Sequence, residues 1–148
     1  MHHIVPASPT PVRVLSFGYL HSTPPAAELV LDVRRYLSDP ARVRDTGLLD
    51  SDGRDPAVQD AVIATPGSLA TLLALRIFTD GYPAHKPLTI AIGCAGGRHR
   101  SAALAELLTS ELLADGIPAQ VHHLHIHLPR VLHDTDDTAP TQQEGHPR

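Results

Sequence analysis

PLTIAIGCAGGRHRSAALAELL, residues Pro87–Leu108, changes character twice along its length. Leu88–Gly93 is wholly apolar and does not alternate, the pattern of a strand covered on both sheet faces. A turn with glycines at 93, 96 and 97 follows, and it holds Cys94, Arg98, His99 and Arg100. From Ser101 onward apolar residues recur at helical spacing, up to Gly116 as a C-terminal cap. Strand, glycine-rich turn and helix in this order make an anion site on physical grounds. Glycines let backbone N–H groups converge without Cβ obstruction, and a helix N-terminus adds positive potential. Arg98 and Arg100 can donate forked hydrogen bonds to oxyanions, and Ser101 can cap the helix or bind the anion.

The flanking sequence extends the pattern. VRVLSFGYLHS (Val12–Ser22) suits a strand ending near Gly18. AELVLDVRRYL (Ala27–Leu37) carries two signals, a buried strand in LVLDV and a helix in Ala-Glu-Leu. The expectation is a short helix after Pro24–Pro25, then a strand ending near Asp32–Arg34. Residues 38–56 read as a long loop dense in Asp, Gly, Arg and Pro, a kind more often functional than merely connecting. DPAVQDAVIA and TPGSLATLLALRIFTDGY read as helices, with Asp55 or Thr65 as N-cap and proline at the first helical position. IPAQVHHLHIHL (Ile117–Leu128) reads as a last, strictly alternating strand. The expected organisation is a loose arm over 1–11, a domain over 12–133 and a disordered polar tail over 134–148. The expected class is a single-domain α/β fold. Its sheet is mostly parallel with helices on both faces, and the anion-binding loop joins a central strand to a helix.

Composition bounds the function. A chain of 148 residues with 42% hydrophobic residues can build one core. A formal charge of −4 argues against a chain-wide electrostatic footprint for nucleic acid, although a local basic patch stays open. No apolar run approaches the ~18 residues a membrane span needs. The opening MHHIVPASPTP lacks a charged n-region and an apolar h-region, so no signal peptide is expected. The single cysteine cannot form an internal disulfide and fits a reducing cytoplasm. These features set the expectation of a soluble cytoplasmic domain with no membrane partner.

Two familiar phosphate loops bear comparison. Walker A requires Gly-Lys-Ser/Thr, whereas His99 and Arg100 precede Ser101 here, so an ordinary nucleoside-triphosphate loop is not expected. Cys94–Ser101 reads C-x-x-G-x-x-R-S, which resembles the signature of cysteine-dependent phosphatases. That resemblance implies Cys94 as nucleophile and Arg100 as phosphate clamp. Gly93 stands where those enzymes usually carry histidine, and the proton donor would have to come from Asp45, Asp50 or Asp52.

A second resemblance covers more of the chain. AIGCAGGRHRS is similar to the stretch IGCTGG-x-HRS of the RapZ C-terminal domain family. LSFGYLHSTPPAAELVLDVRRYLSDP resembles that domain's opening, where Ser-Phe-Gly precedes a histidine and Asp-Val-Arg precedes an Asn-Pro turn. DTGLLDSDGRDPAVQDAV resembles the Thr-Gly-Leu-Asp loop and helix that follow. The matching motifs run in order over about residues 12–127. The resemblance implies a domain that binds glucosamine-6-phosphate and, in the family, RNA. It further implies that His21, Gly96, Gly97, His99, Arg100 and Ser101 line a sugar-phosphate pocket, with Asp32 and Arg34 nearby. Cys94, inside the matching stretch, and His123, which matches a histidine of the family's tail, join that set. The family's N-terminal P-loop ATPase-like domain has no counterpart here, so a stand-alone domain without ATP binding is expected. Ala95 replaces a threonine. The family's basic tail is replaced by HHLHIHLPRVLHDTDDTAP, histidine-rich and then acidic, which removes the charge that RNA affinity depends on.

On an alternating strand, His123, His125 and His127 would share one face. Such histidines, with His133 or Cys94, form a minor metal reading that lacks a carboxylate partner. Beside an anion site they would instead make binding pH-dependent. The leading reading is a binding or regulatory domain, a sensor or adaptor for a phosphorylated sugar or other small anion, without cofactor or metal. A Cys94/Arg100 phosphatase is the alternative and an RNA-binding adaptor the third. A protein partner and a homo-oligomer stay open.

Overall fold

A computed structural model describes residues 10–40 and 47–129. Most of the expected arm, the whole of the expected tail, Asp45 and His133 lie outside the described residues. The elements run β1 (Val12–Gly18), β2 (Leu29–Asp32), α1 (Pro56–Ile63), α2 (Ser68–Gly81), β3 (Thr89–Cys94), α3 (Arg100–Ala114) and β4 (Ala119–His123). Four parallel strands form one sheet in the order β2-β3-β1-β4, an α/β single-domain fold with β3 and β1 central. The unalternating run of β3 is explained by its place there. Ile90, Ala91, Ile92 and Cys94 are all buried.

Among the described residues the helices lie on one face of the sheet, not on both as the sequence suggested. All three contribute to one core, in which Val58 and Val62 of α1, Leu72 and Leu75 of α2, and Leu104, Leu108 and Leu112 of α3 join Val12, Val14, Ile90 and Ile92 of the sheet. The small cluster on the opposite face, Leu15, Phe17 and Ala91 with Tyr19 and Ala27, contains no helical residue. Connection handedness accounts for the asymmetry. The β2→β3 and β3→β4 connections step the same way across the sheet, so right-handed crossovers put their helices on one side. The β1→β2 connection steps back over β3 and must cross the other face.

That connection is a strap without a helix, which corrects the expected turn of helix after Pro24–Pro25. The prolines remove two backbone donors, and the Glu28 backbone is already drawn into the sheet. Its N–H donates to Thr89 O at 3.0 Å, while its carboxylate accepts the Thr89 N–H at 2.6 Å. Helix α1 starts as expected, with Pro56 in its first turn and the Asp55 carboxylate accepting the Ala57 N–H at 2.9 Å. Helix α2 does not start on Thr65–Pro66. Thr65 donates back to Ala61 O and closes α1, and Gly67 at φ 98° makes the left-handed turn into Ser68. In α3, Ala102, Ala103 and Ala105 are fully buried, and their small side chains let the helix seat closely on the sheet. Strand β4 ends at His123, earlier than the alternation suggested, and residues 124–128 turn.

Candidate functional site

The strap after β1 and the helix after β3 leave adjacent strands toward opposite faces. The carboxyl ends of these two strands therefore flank a crevice, the place where open parallel sheets bind ligands. Two backbones converge there. The strand pairing continues past both ends, with Tyr19 N–H donating to Cys94 O at 2.9 Å and Leu20 N–H to Ala95 O at 3.0 Å. A Cβ on Gly18 would lie 2.4 Å from Gly96 C, and one on Gly97 would lie 2.7 Å from Gly18 N. Gly97 also takes φ 73°, so neither position accepts a side chain without strain. Among the described residues, the N–H groups of Gly96, Gly97 and Arg98 have no acceptor. These donors precede the N-terminus of α3, where the helix dipole favours an anion.

The polar side chains of the motif turn into the protein. Arg100 is 1% exposed, and its Nη1 donates to Leu37 O at 2.9 Å and Arg34 O at 3.4 Å. His99 Nε2 faces Ser51 O at 2.9 Å and Leu49 O at 3.2 Å, and Nδ1 lies 3.3 Å from the Asp39 carboxylate. Ser101 does not cap α3. Its hydroxyl donates to Phe17 O at 3.3 Å and sits 3.1 Å from Cys94 Sγ, with both groups buried. Arg98 Nη2 donates to Asp50 O at 2.8 Å, and Gly53 N–H donates to Arg98 O at 2.8 Å. A Cβ on Gly53 would be 2.2 Å from Ala103 N, so the loop rests directly on the first turn of α3. The long loop after β2 is thus part of the site's wall. Its composition signalled function, but not Gly53 or Asp39 as contacts.

The open side chains come from elsewhere. Asp32 at the end of β2 holds Arg34 through both oxygens, at 3.0 Å from Nε and 2.8 Å from Nη2. The Arg34 guanidinium beside Asp32 holds this carboxyl below its usual range, against the opposing effect of burial. Arg34 also lies 3.7 Å from the centre of the Tyr19 ring, a cation–π contact that fixes the guanidinium at the rim. Burial, reinforced by Asp32, pushes the Tyr19 phenol up. His21 follows in the turn after Gly18, with its ring 5.1 Å from that of His125. Sequence reasoning missed Tyr19, although it lies inside the stretch SFGYLHS that drew attention to Gly18 and His21.

The three alternating histidines do not form one ligand set. His123 Nε2 donates to Glu106 of α3 at 2.6 Å, and in the neutral ring Nδ1 then accepts the Ser16 hydroxyl, also at 2.6 Å. His125 lies past the strand end, and its Nδ1 accepts the Gly18 N–H at 2.8 Å. Among the described residues no three His, Cys, Asp or Glu side chains group as a metal site requires. The Ser16–His123–Glu106 chain ties β1, β4 and α3 together behind the crevice. Glu106 was not legible as the carboxylate partner of His123, because the two meet only through the fold.

The arrangement can bind an oxyanion, and the parts of a phosphatase are poorly placed. A Cβ on Gly93 would lie 2.5 Å from both the Phe17 and Tyr19 rings, so the histidine of that signature has no room. Asp52 is paired with Arg54, whose guanidinium holds the carboxyl below its usual range. It is therefore ionised where a general acid must carry a proton.

The family model described as RapZ C-terminal domain matches residues 10–127. A nucleotide-binding protein of Frankia alni is 42% identical over 116 residues, covering 74% of this chain and 39% of the relative. A nucleotide-binding protein of Mycobacterium avium is 42% identical over 116 residues, 74% of this chain and 38% of its own length. One from Limosilactobacillus fermentum is 39% identical over 120 residues, 76% of this chain and 40% of its own. The chain spans about 39% of the length of the first of these relatives.

Proposed function

The chain belongs to the RapZ C-terminal domain family, and on that premise we propose that it binds a phosphorylated small metabolite, a glucosamine-6-phosphate-like amino sugar phosphate, as a sensor or adaptor. The observation that carries this reading is the turn Gly96–Arg98. Its N–H groups, without acceptors among the described residues, lie at the strand ends beside the N-terminus of α3. Phosphate oxygens supply the missing acceptors. His99, Arg100 and Ser101 act from behind, holding the loop in shape, since each already has protein partners. Arg100 holds the carbonyls of Leu37 and Arg34 through Nη1, while its buried Nε has no hydrogen-bond partner among the described residues. His21 and the Asp32–Arg34 pair stand at the rim, where an amine and hydroxyls can be read by carboxylate and imidazole.

The two rival readings lack a comparable observation. Hydrolysis through Cys94 meets a buried thiol, and of the acid candidates Asp52 is paired with Arg54. RNA binding draws on free cations, and three of the described arginines, Arg34, Arg54 and Arg76, are paired with carboxylates instead. The test is thermal melting with glucosamine-6-phosphate, glucose-6-phosphate and sulfate, with free phosphate assayed in the same samples. Ligand at about a hundred times its dissociation constant adds roughly 2.7 kcal/mol of stability. A rise in Tm largest for the amino sugar phosphate, without phosphate release, is the expected result. Phosphate release that disappears in Cys94→Ser would replace this reading with the phosphatase.

A further inference from the structure

His125 was singled out in the sequence as a metal candidate and as a source of pH-dependent binding, and among the described residues no metal group forms around it. Its position assigns it another role. The ring is fixed by main chain, with Nδ1 accepting the Gly18 N–H at 2.8 Å. An accepting nitrogen carries no hydrogen, so the neutral ring carries its hydrogen on Nε2. This Nε2–H has no acceptor among the described residues, and neither does the ring of His21 beside it. The backbone that His125 holds is the one against the glycine turn. A Cβ on Gly18 would lie 2.7 Å from Gly97 N, so His125 is one residue removed from the free amides. The next residue strengthens the link, since Ile126 O accepts Arg98 Nη1 at 3.4 Å. The turn carrying His125 is therefore held both to the end of β1 and to the glycine-rich loop.

We infer that His125 is a ligand-reading residue, whose Nε2–H donates to an oxyanion seated on Gly96–Arg98 while the Gly18 N–H fixes its tautomer. The inference rests on the anion-binding reading above and adds to it a donor from the turn after β4. The ring is part-exposed, so its Nε2–H is open to a ligand and gives up only water in taking one. His21 packs on the same ring and limits its rotation. Burial, His21 and His127 all disfavour a proton on His125, consistent with a ring that keeps one nitrogen accepting.

Two substitutions separate reading the ligand from merely tethering Gly18. His125→Asn keeps an acceptor near the Nδ1 position and deletes the distal donor. His125→Gln places an amide donor near the Nε2 position and deletes the proximal acceptor. Titration calorimetry with inorganic phosphate on the full chain gives the readout, with thermal melting of each variant alongside. The expected result is binding weakened about tenfold or more in His125→Asn and largely kept in His125→Gln. Wild-type binding in His125→Asn would overturn the inference, as would an equal loss in both variants. Should His125→Gln fail to fold, His125→Asn alone decides by the same criterion. If wild-type protein binds neither phosphate nor glucosamine-6-phosphate, the anion-binding reading itself fails and takes this inference with it. Phosphate binding untouched by His125→Asn removes the inference alone.

Discussion

Two sets of polar side chains meet at the crevice and are used in opposite ways. His99, Arg100 and Ser101 come from the sequence motif itself and are buried, with hydrogen bonds to Phe17, Leu37, Leu49 and Ser51. His21, Arg34 and His125 come from three other segments and stay part-exposed at the rim. On the proposed reading the motif builds a cradle that offers backbone amides to the ligand, while the selective side chains arrive from the strap, the end of β2 and the turn after β4. Substitutions in the first set should cost stability, and those in the second should cost binding.

The hardest test of that division is Gly97→Ala. An alanine there must hold φ near 73° with its Cβ about to overlap the Gly18 backbone. A loss on the order of 3 kcal/mol in urea unfolding is expected, together with loss of phosphate binding. Arg100→Met should come next, at about 2 kcal/mol or more. It removes the donor that satisfies Leu37 O and leaves a buried carbonyl unpaired. If Arg100→Met left stability unchanged and abolished binding, Arg100 would belong to the second set. Glu106→Ala should cost about 1 kcal/mol by freeing one end of the Ser16–His123 chain, with phosphate affinity nearly unchanged. His21→Ala should shift unfolding by less than about 0.5 kcal/mol while weakening binding of glucosamine-6-phosphate severalfold.

The smallest effect is one of pH. His125 has a pKa below its ordinary 6.5 in the folded chain, chiefly through burial and then through His21 and His127. As pH falls below 6.5 the unfolded chain takes up the proton first, so this group's contribution to stability is complete above that value. It is then lost as pH drops toward the lower folded pKa. A Tm–pH profile of His125→Asn should lack that component. A profile identical to wild type would mean that His125 titrates alike in the folded and unfolded chains.

Much of the fold was legible because it follows from local pattern. The unalternating run of β3, the Asp55–Pro56 start of α1 and the glycine-rich turn each carry their cause in adjacent residues. Where prediction failed, the deciding contact was distant. Two prolines and the pairing of Glu28 with Thr89 kept residues 24–28 extended. The apolar and histidine alternation of 121–128 promised a longer strand, but His125 is drawn to Gly18 and the chain turns. The site was legible as a location and less so as a set of roles. A motif arginine reads the same whether it grips a ligand or the carbonyl of Leu37, and only the fold tells them apart.

The most direct test of the central claim is amide NMR of the labelled chain during titration with inorganic phosphate. The account predicts saturable shifts centred on the N–H groups of Gly96, Gly97 and Arg98, extending to Gly18, His21 and His125 and sparing the amino ends of the strands. Saturable shifts centred elsewhere, or none at these amides, would contradict it.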